Sequence, residues 1–332
     1  MGDRHIVVLG AGSWGTALAI QAARAGQSVC LWGLEADQIA NMQQQRCNAI
    51  YLPDIAFPNN LQLSANLAES VQHAHTLLIA VPSHAFRVFL KSARPYIRHD
   101  QHIVWATKGL EEGSAQLMHQ ILGTELPDSH YQAVLSGPTF AREVAQNLPT
   151  AVTAAASSTE LAWQTTSFLH HGNFRVYTSD DIIGVELGGA LKNVLAIAAG
   201  IADGLGFGAN TRAALITRGL AEMMRLGDAM GAQRDTFMGL AGLGDLLLTC
   251  TDNQSRNRRM GLKLASGLNV ARARQDIGQA VEGVNTAREA YTLAQKFNVE
   301  LPIIELTYRV LYENLPPKTA VQKLLSRDAK SE

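Results

Sequence analysis

Lys192 stands inside an apolar stretch, Val185 to Leu205, whose other strongly polar residues are Glu186, Asn193 and Asp203. Gly188 and Gly189 precede it by four and three residues, and Ala196 follows by four. On a helix these small residues share its face. Glycines inside a helix weaken it by about 1 kcal/mol each relative to alanine, so two together ask for a reason. The reason read here is room beside the lysine for something to approach. Lysine is rarely buried without a partner. Burial or a second cation lowers its pKa, which suits a general base near neutral pH. The competing reading is a lysine whose stem lies on apolar surface while its ammonium reaches water.

Further along, Gly239-Leu240-Ala241-Gly242-Leu243-Gly244-Asp245 leads into Leu246-Leu247-Leu248-Thr249. Asp245 is read as a helix N-cap and as a partner able to orient Lys192. Thr249, one turn later, would face the same way. Ser255 is read as the cap of the next helix, which places Arg256 at the positive end of a helix dipole. A cation there makes sense when an anion binds beside it, held by backbone N–H groups and the guanidinium together. Arg258 and Arg259 are read as solvated. Glu282, in a loop read over Gln279 to Val284, could reach a cofactor hydroxyl or amide, or be an ordinary loop acid.

A third set lies nearer the N-terminus. Gly10-Ala11-Gly12-Ser13-Trp14-Gly15 follows an apolar strand and opens a helix, which is G-x-G-x-x-G in its required context. Gly10 allows the tight turn, Gly12 lets backbone approach a pyrophosphate, and Gly15 lets helix pack on strand. The residue closing the second strand usually selects the cofactor: an acid for ribose hydroxyls, a basic group for the extra phosphate of NADP. Here that strand ends Leu31-Trp32-Gly33-Leu34-Glu35. Glu35 is a displaced candidate, and the choice between NAD and NADP stays open. Polar residues also gather after other strands, where open α/β sheets bind ligands. Lys108 follows one strand directly. Gly137 and Thr139 follow another in Ser136-Gly137-Pro138-Thr139-Phe140-Ala141, where they could equally serve as turn residues. His84, in Val81-Pro82-Ser83-His84, is read as a loop residue without chemistry.

The elements that must position these groups show in the patterning. Up to about residue 181, short β-branched runs alternate with helical segments: Ile6–Gly10, Ser28–Trp32, Leu61–Ser64, Thr76–Val81, His102–Thr107, Gln132–Ser136, Thr150–Ala156 and Phe174–Thr178 as strands, Thr16–Ala25 and Ala85–Ala93 among the helices. The strands are apolar without strict alternation, as strands covered on both faces are. This predicts a mostly parallel, doubly wound sheet. After about residue 182 the spacing becomes helical, over 182–204, 209–230, 244–251, 256–266, 283–297 and 302–313. The chain is therefore divided into an α/β domain, 1–185, and an all-α domain, 186–332. The charged tail after Pro316-Pro317 is expected to fray.

Bulk composition narrows the partners. A net charge of −1 on 332 residues gives no global basic field for nucleic acid or an anionic membrane, so an anion site must be local. Cys30, Cys47 and Cys250 match no zinc or CxxC spacing; reduced thiols in a cytosolic protein are expected. No metal is expected. Met1 to His5 is too short and charged for a secretory leader. Val185 to Leu205 carries too much charge for a membrane span and is read as a buried helix.

These segments together resemble the bacterial-type NAD(P)-dependent glycerol-3-phosphate dehydrogenase family. The resemblance rests on Gly10 through Ala19, Thr107-Lys108-Gly109-Leu110-Glu111, Ser136 through Ala141, Glu186 through Asn193, Gly239 through Asp245, Ser255-Arg256-Asn257 and Val281-Glu282-Gly283-Val284. They are collinear and span nearly the whole chain. The resemblance implies a Rossmann-like N-terminal domain, a helical C-terminal domain, and a site between them. It implies that Lys192 is the general acid or base, held by Asp245 and assisted by Lys108, which should lower the pKa of Lys192. It places Lys108, Gly137, Thr139, Lys192, Asp245, Ser255, Arg256 and Asn257 around glycerol phosphate. It places Ser13, Trp14, Lys108, Ala141, Arg256 and Glu282 on NADPH or NADH, with Ala280 standing where the family often has valine. The family usually has a basic residue where Gly33 and Leu34 stand. A homodimer, a cytoplasmic location, reduction of dihydroxyacetone phosphate and supply of the phospholipid backbone are further implications. The rival readings are a hydroxyacid or sugar-acid dehydrogenase of like architecture and a nucleotide-sensing module without chemistry.

Overall fold

The computed structural model describes residues 5–129 and 131–326. Met1–Arg4 of the segment weighed above as a leader, and the end of the charged tail beyond residue 326, lie outside the described residues. The chain divides into two compact units. One runs up to Lys108 and resumes over Met118–Val185; the other comprises Gly109–Leu117 and the chain from Glu186 onward.

The first unit contains strands β1 His5–Leu9, β2 Ser28–Trp32, β3 Cys47–Asn48, β4 Leu52–Ala56, β5 Leu61–Ser64, β6 Thr76–Ile79, β7 His102–Trp105, β8 Tyr131–Ser136, β9 Thr150–Ala155 and β10 Phe174–Ser179. Eight of them form one sheet in the order β10-β9-β8-β7-β6-β1-β2-β5. Every pairing in it is parallel except β8 with β9. Strands such as β6 and β7 are buried along their whole length, which explains why they read as unbroken apolar runs. Helices α1 Ser13–Arg24, α2 Ala36–Gln45, α3 Leu67–Gln72, α4 Ser83–Ala93, α5 Met118–Glu125, α6 Ala141–Ala145 and α7 Thr159–Thr166 connect and cover the strands. The small antiparallel pair β3–β4 has no counterpart in the sequence reading. Two residues of β3 carry no periodicity, and Pro53 and Asp54 (φ 66°) interrupt β4. His84 lies in the first turn of α4 rather than in a loop.

The chain enters the second unit within α8 Ile182–Gly204, of whose most apolar window 89% is buried. It is a core helix. The same unit holds α9 Ala209–Met230, α10 Arg234–Met238, α11 Asp245–Thr251, α12 Arg256–Ala265, α13 Val270–Ile277, α14 Glu282–Phe297, α15 Pro302–Tyr312 and α16 Pro317–Leu325. Helices α8 and α12 cross with their backbones in contact. A Cβ on Gly200 would lie 2.1 Å from the Arg258 carbonyl, and one on Gly261 2.1 Å from that of Ile197. Buried Glu222 of α9 accepts the N–H groups of Ile303 and Ile304 at 2.7 and 3.1 Å, satisfying the otherwise orphaned start of α15. The expectation of fraying after Pro316-Pro317 is corrected as far as Leu325, where α16 ends. Pro317 is well placed in the first turn of a helix, and Ala320 of α16 is buried.

Candidate active site

In the first unit, the glycine turn between β1 and α1 is constrained on two sides. Gly10 has φ +124°, and a Cβ there would lie 2.9 Å from the Ala80 carbonyl oxygen. A Cβ on Gly15 would lie 1.9 Å from the Gly10 carbonyl oxygen, so only glycine lets α1 sit this close to the turn. A Cβ on Gly12 would meet no protein atom within 4 Å. Protein packing does not demand glycine there; backbone approach by a ligand does. No side chain caps α1, leaving its first N–H groups to an external acceptor. The Trp14 indole Nε1 is buried without a hydrogen-bond partner in the protein. These features fit a dinucleotide pyrophosphate. Asn48, fully buried at the end of β3, holds the turn by donating to the Ala11 carbonyl at 3.0 Å and to Thr16 Oγ1 at 2.9 Å. Sequence reasoning missed it, because an asparagine in a polar stretch gives no signal of burial.

Gly33 is packed. A Cβ there would lie 2.7 Å from Ile39 Cδ1 and 2.9 Å from Ala11 Cβ. Leu34 beside it is 77% exposed, and Glu35 is exposed at the start of α2 without making a side-chain cap. Lys108 follows β7 closely and is half-buried. Its Nζ donates to the Gly137 carbonyl at 3.1 Å, and Thr139 Oγ1 donates to the same oxygen at 3.1 Å. Gly137 has φ +144°, and a Cβ there would lie 3.0 Å from Val152 Cα. The turn reading of Gly137 therefore holds, and the same turn gathers Lys108 and Thr139. Ala141 opens α6 just beyond.

In the second unit, Lys192 and Asp245 are 6% and 0% exposed, and Lys192 Nζ donates to Asp245 Oδ1 in a buried ion pair. Asp245 is the first residue of α11 rather than its N-cap, which is Gly244. The backbone before it, Leu240–Gly244, makes a π-helical turn. Its side chain turns to Lys192. Thr249, one turn on, donates to the Asp245 carbonyl at 2.6 Å and approaches Oδ1 at 3.4 Å. The room read beside Lys192 at Gly188 is corrected: the protein's own backbone fills it. A Cβ on Gly188 would lie 2.3 Å from the Ala241 carbonyl oxygen. The glycine brings the π turn, and with it Asp245, against α8. Buried Cys250 of α11 has its thiol pushed up to about 12 by desolvation, against the lowering influence of Lys192 and Arg258.

Ser255 caps α12 as read, accepting the Arg258 N–H at 3.1 Å. Arg256 is the first helical residue and half-buried, with the N–H groups of the first turn beside it. The reading of Arg258 as solvated is wrong. It is 7% exposed and pairs with Asp203 at 2.6 Å, which also accepts from Arg212 at 2.9 Å. Arg259 is half-buried. Asn257 is buried, donating through Nδ2 to Asn193 Oδ1 at 2.8 Å and accepting the Gly283 N–H at 2.9 Å. Glu282 opens α14 rather than lying in a loop, and Ala280 is exposed just before it. Asn193 was passed over; its signal was a second polar residue on an otherwise apolar helix. No group of His, Cys, Asp and Glu suited to a metal ion occurs among the described residues.

The chain matches the family models for the N-terminus of NAD-dependent glycerol-3-phosphate dehydrogenase over residues 5–162 and for its C-terminus over 181–322. It is 54% identical to the glycerol-3-phosphate dehydrogenase [NAD(P)+] of Pseudoalteromonas translucida, covering 98% of each chain. It is 53% identical to that of Thioalkalivibrio sulfidiphilus over the full length of both. The crystal structure of glycerol-3-phosphate dehydrogenase from Coxiella burnetii superposes with a TM-score of 0.93 at 49% identity, covering 98% of this chain and 99% of that one. With matches of this identity over both units, the chain belongs to the NAD-dependent glycerol-3-phosphate dehydrogenase family.

Proposed function

We propose that this protein interconverts dihydroxyacetone phosphate and sn-glycerol 3-phosphate by hydride transfer with NADPH or NADH. The observation that carries the reading is the buried Lys192–Asp245 pair between α8 and α11. The reduced nicotinamide supplies the hydride. Lys192, as ammonium, polarises the substrate carbonyl and gives its proton to the nascent alkoxide; in reverse its amine takes the hydroxyl proton. Asp245 fixes the direction of Nζ, and Thr249 in turn steadies Asp245. The substrate phosphate rests on Arg256, Ser255 and the first-turn N–H groups of α12, including that of Asn257. Lys108, with Gly137 and Thr139, contributes positive charge and backbone contacts to the same substrate. Gly10, Gly12, Ser13, Trp14 and Gly15 hold the pyrophosphate; Lys108, Ala141, Arg256, Ala280 and Glu282 contact the rest of the cofactor.

The protein acts as a cytoplasmic homodimer without membrane insertion, and its product feeds phospholipid synthesis. The test is consumption of NADPH and NADH with dihydroxyacetone phosphate, beside 6-phosphogluconate with the oxidised cofactors. Turnover of the triose phosphate alone supports the reading, and the rate ratio gives the cofactor preference. Turnover of the sugar acid alone would keep the fold and overturn the function.

A further inference from the structure

Asn257 does not point its carboxamide at open space. Its Oδ1 takes the Gly283 N–H at 2.9 Å, and its Nδ2 donates to Asn193 Oδ1 at 2.8 Å. Asn193 in turn reaches back along α8 to the Gly189 carbonyl at 3.4 Å. All three residues of this bridge are buried: Asn193 is 4% exposed, Asn257 8%, and Gly283 lies under both. The approach of α14 is as close as chemistry allows. A Cβ on Gly283 would lie 2.6 Å from the Asn193 carbonyl oxygen and 2.7 Å from Asn257 Oδ1. One side chain therefore ties together the middle of α8, the first turn of α12 and the first turn of α14.

Each tied residue is the chain neighbour of a charged one. Asn193 follows Lys192, Asn257 follows Arg256, and Gly283 follows Glu282. Polar groups this deeply buried cost stability unless satisfied, and a satisfied network fixes one arrangement. We infer that Asn193, Asn257 and Gly283 form a positioning hub that sets the mutual placement of Lys192, Arg256 and Glu282, so that substrate and cofactor affinity are fixed together. The assignment rests on the reading above, in which those three charges serve the two ligands. Asn193 is a positioning residue: it acts through Asn257 and does not need to touch either ligand.

The test uses the full chain and three variants. Asn193→Ala removes the acceptor for Asn257. Gly283→Ala keeps both asparagines and forces the start of α14 outward. The third carries both changes. The readouts are the Kd of NADPH by quenching of tryptophan fluorescence, the inhibition constant of inorganic phosphate, and KM and kcat for dihydroxyacetone phosphate. Misplacement of reacting groups by about 1 Å can cost about 100-fold; here each single variant should weaken NADPH and phosphate together by about 10-fold, with kcat also lowered. Because the hub acts as one unit, the double variant should be no weaker than the worse single one, as coupled sites are not additive. A residue with only a structural role would lower the melting temperature and leave both affinities alone. Folded Asn193→Ala or Gly283→Ala protein that binds both ligands like wild type overturns the inference, as do losses that multiply in the double variant. If Asn193→Ala does not fold, Asn193→Ser shortens the side chain beyond reach of Asn257 and takes its place. The binding readouts do not depend on turnover. Wild-type protein inactive on the triose phosphate would refute the proposed reaction and leave the hub to be judged on affinity.

Discussion

Replacing Lys192 with methionine removes the charge and keeps the length of the side chain. It leaves Asp245, fully buried, without its cation. The Thr249 hydroxyl approaches its Oδ1 at 3.4 Å. Breaking one side of a buried pair costs about 3–5 kcal/mol, because the other charge stays desolvated. For a unit of this size each kcal/mol moves the melting point by about 2–4 °C, so the expected fall is roughly 6–20 °C. Replacing both partners, Lys192→Met with Asp245→Leu, removes the stranded charge and should recover most of that loss, since apolar substitutes for a buried pair are often neutral or better. Turnover should not recover. Loss of a positioned proton donor lowers kcat by about 100- to 10,000-fold, and both variants lack it. The assay is thermal unfolding by circular dichroism beside steady-state kinetics. A single variant melting within about 2 °C of wild type would refute the buried-pair reasoning. A double variant that regains activity would refute the role given to Lys192.

Three further outcomes are expected from local geometry. Gly12→Ala should leave the melting temperature unchanged and weaken NADPH binding by about 10-fold or more, because its Cβ meets no protein atom and would face the pyrophosphate; Gly15→Ala, with a Cβ 1.9 Å from the Gly10 carbonyl, should destabilise the first unit itself, and calorimetry beside a binding titration separates the two. Leu34→Arg should raise the NADPH to NADH ratio of kcat/KM at no cost in stability, because Leu34 is exposed, whereas Gly33→Arg should unfold the turn against Ile39 and Ala11. Burial raises the Cys250 thiol from 9.0 to about 12. Between those pH values the unfolded chain releases a proton that the folded one keeps, so stability is full below pH 9.0 and falls as pH rises toward about 12. Cys30, also raised by burial, acts in the same direction. Cys250→Ala should flatten the fall, as read by denaturant midpoints at pH 8 and above; an unchanged slope would remove Cys250 as its source.

The parallel sheet was legible because strands covered on both faces, such as β6 and β7, must be apolar throughout and recur between helical segments. The long helices α8 and α9 were legible from their length. The pair β3–β4 was not, since two residues carry no period and its anchor, Asn48, is stabilised by partners distant in sequence. The start of α11 shows the same limit. An aspartate before an apolar run reads as a cap by local rules, and the π turn that moves the cap back to Gly244 is imposed by packing against Gly188. Arg258 was misjudged for a related reason. Its neighbours Arg256 and Arg259 suggest a wet basic face, but its partner Asp203 lies on a different helix.

Glycine has two different meanings in this chain, and the difference bears on how the site is built. At Gly12 the missing side chain opens toward no protein atom, which leaves room for the backbone approach that a pyrophosphate requires. At Gly188, Gly200, Gly261 and Gly283 it is the protein's own backbone that arrives, within 2.1 to 2.6 Å of where a Cβ would be. These four glycines bring α8, α12, the π turn and the start of α14 together at backbone distance. Such contacts leave no slack for side-chain rearrangement, because backbone cannot yield as a rotamer can. Lys192, Asp245, Arg256 and Glu282 are all carried on segments locked this way. Pre-organised charge of this kind loses little when a transition state forms. The cost of glycine in a helix interior, about 1 kcal/mol at each position, is thus offset by contacts that hold the charged groups in one arrangement.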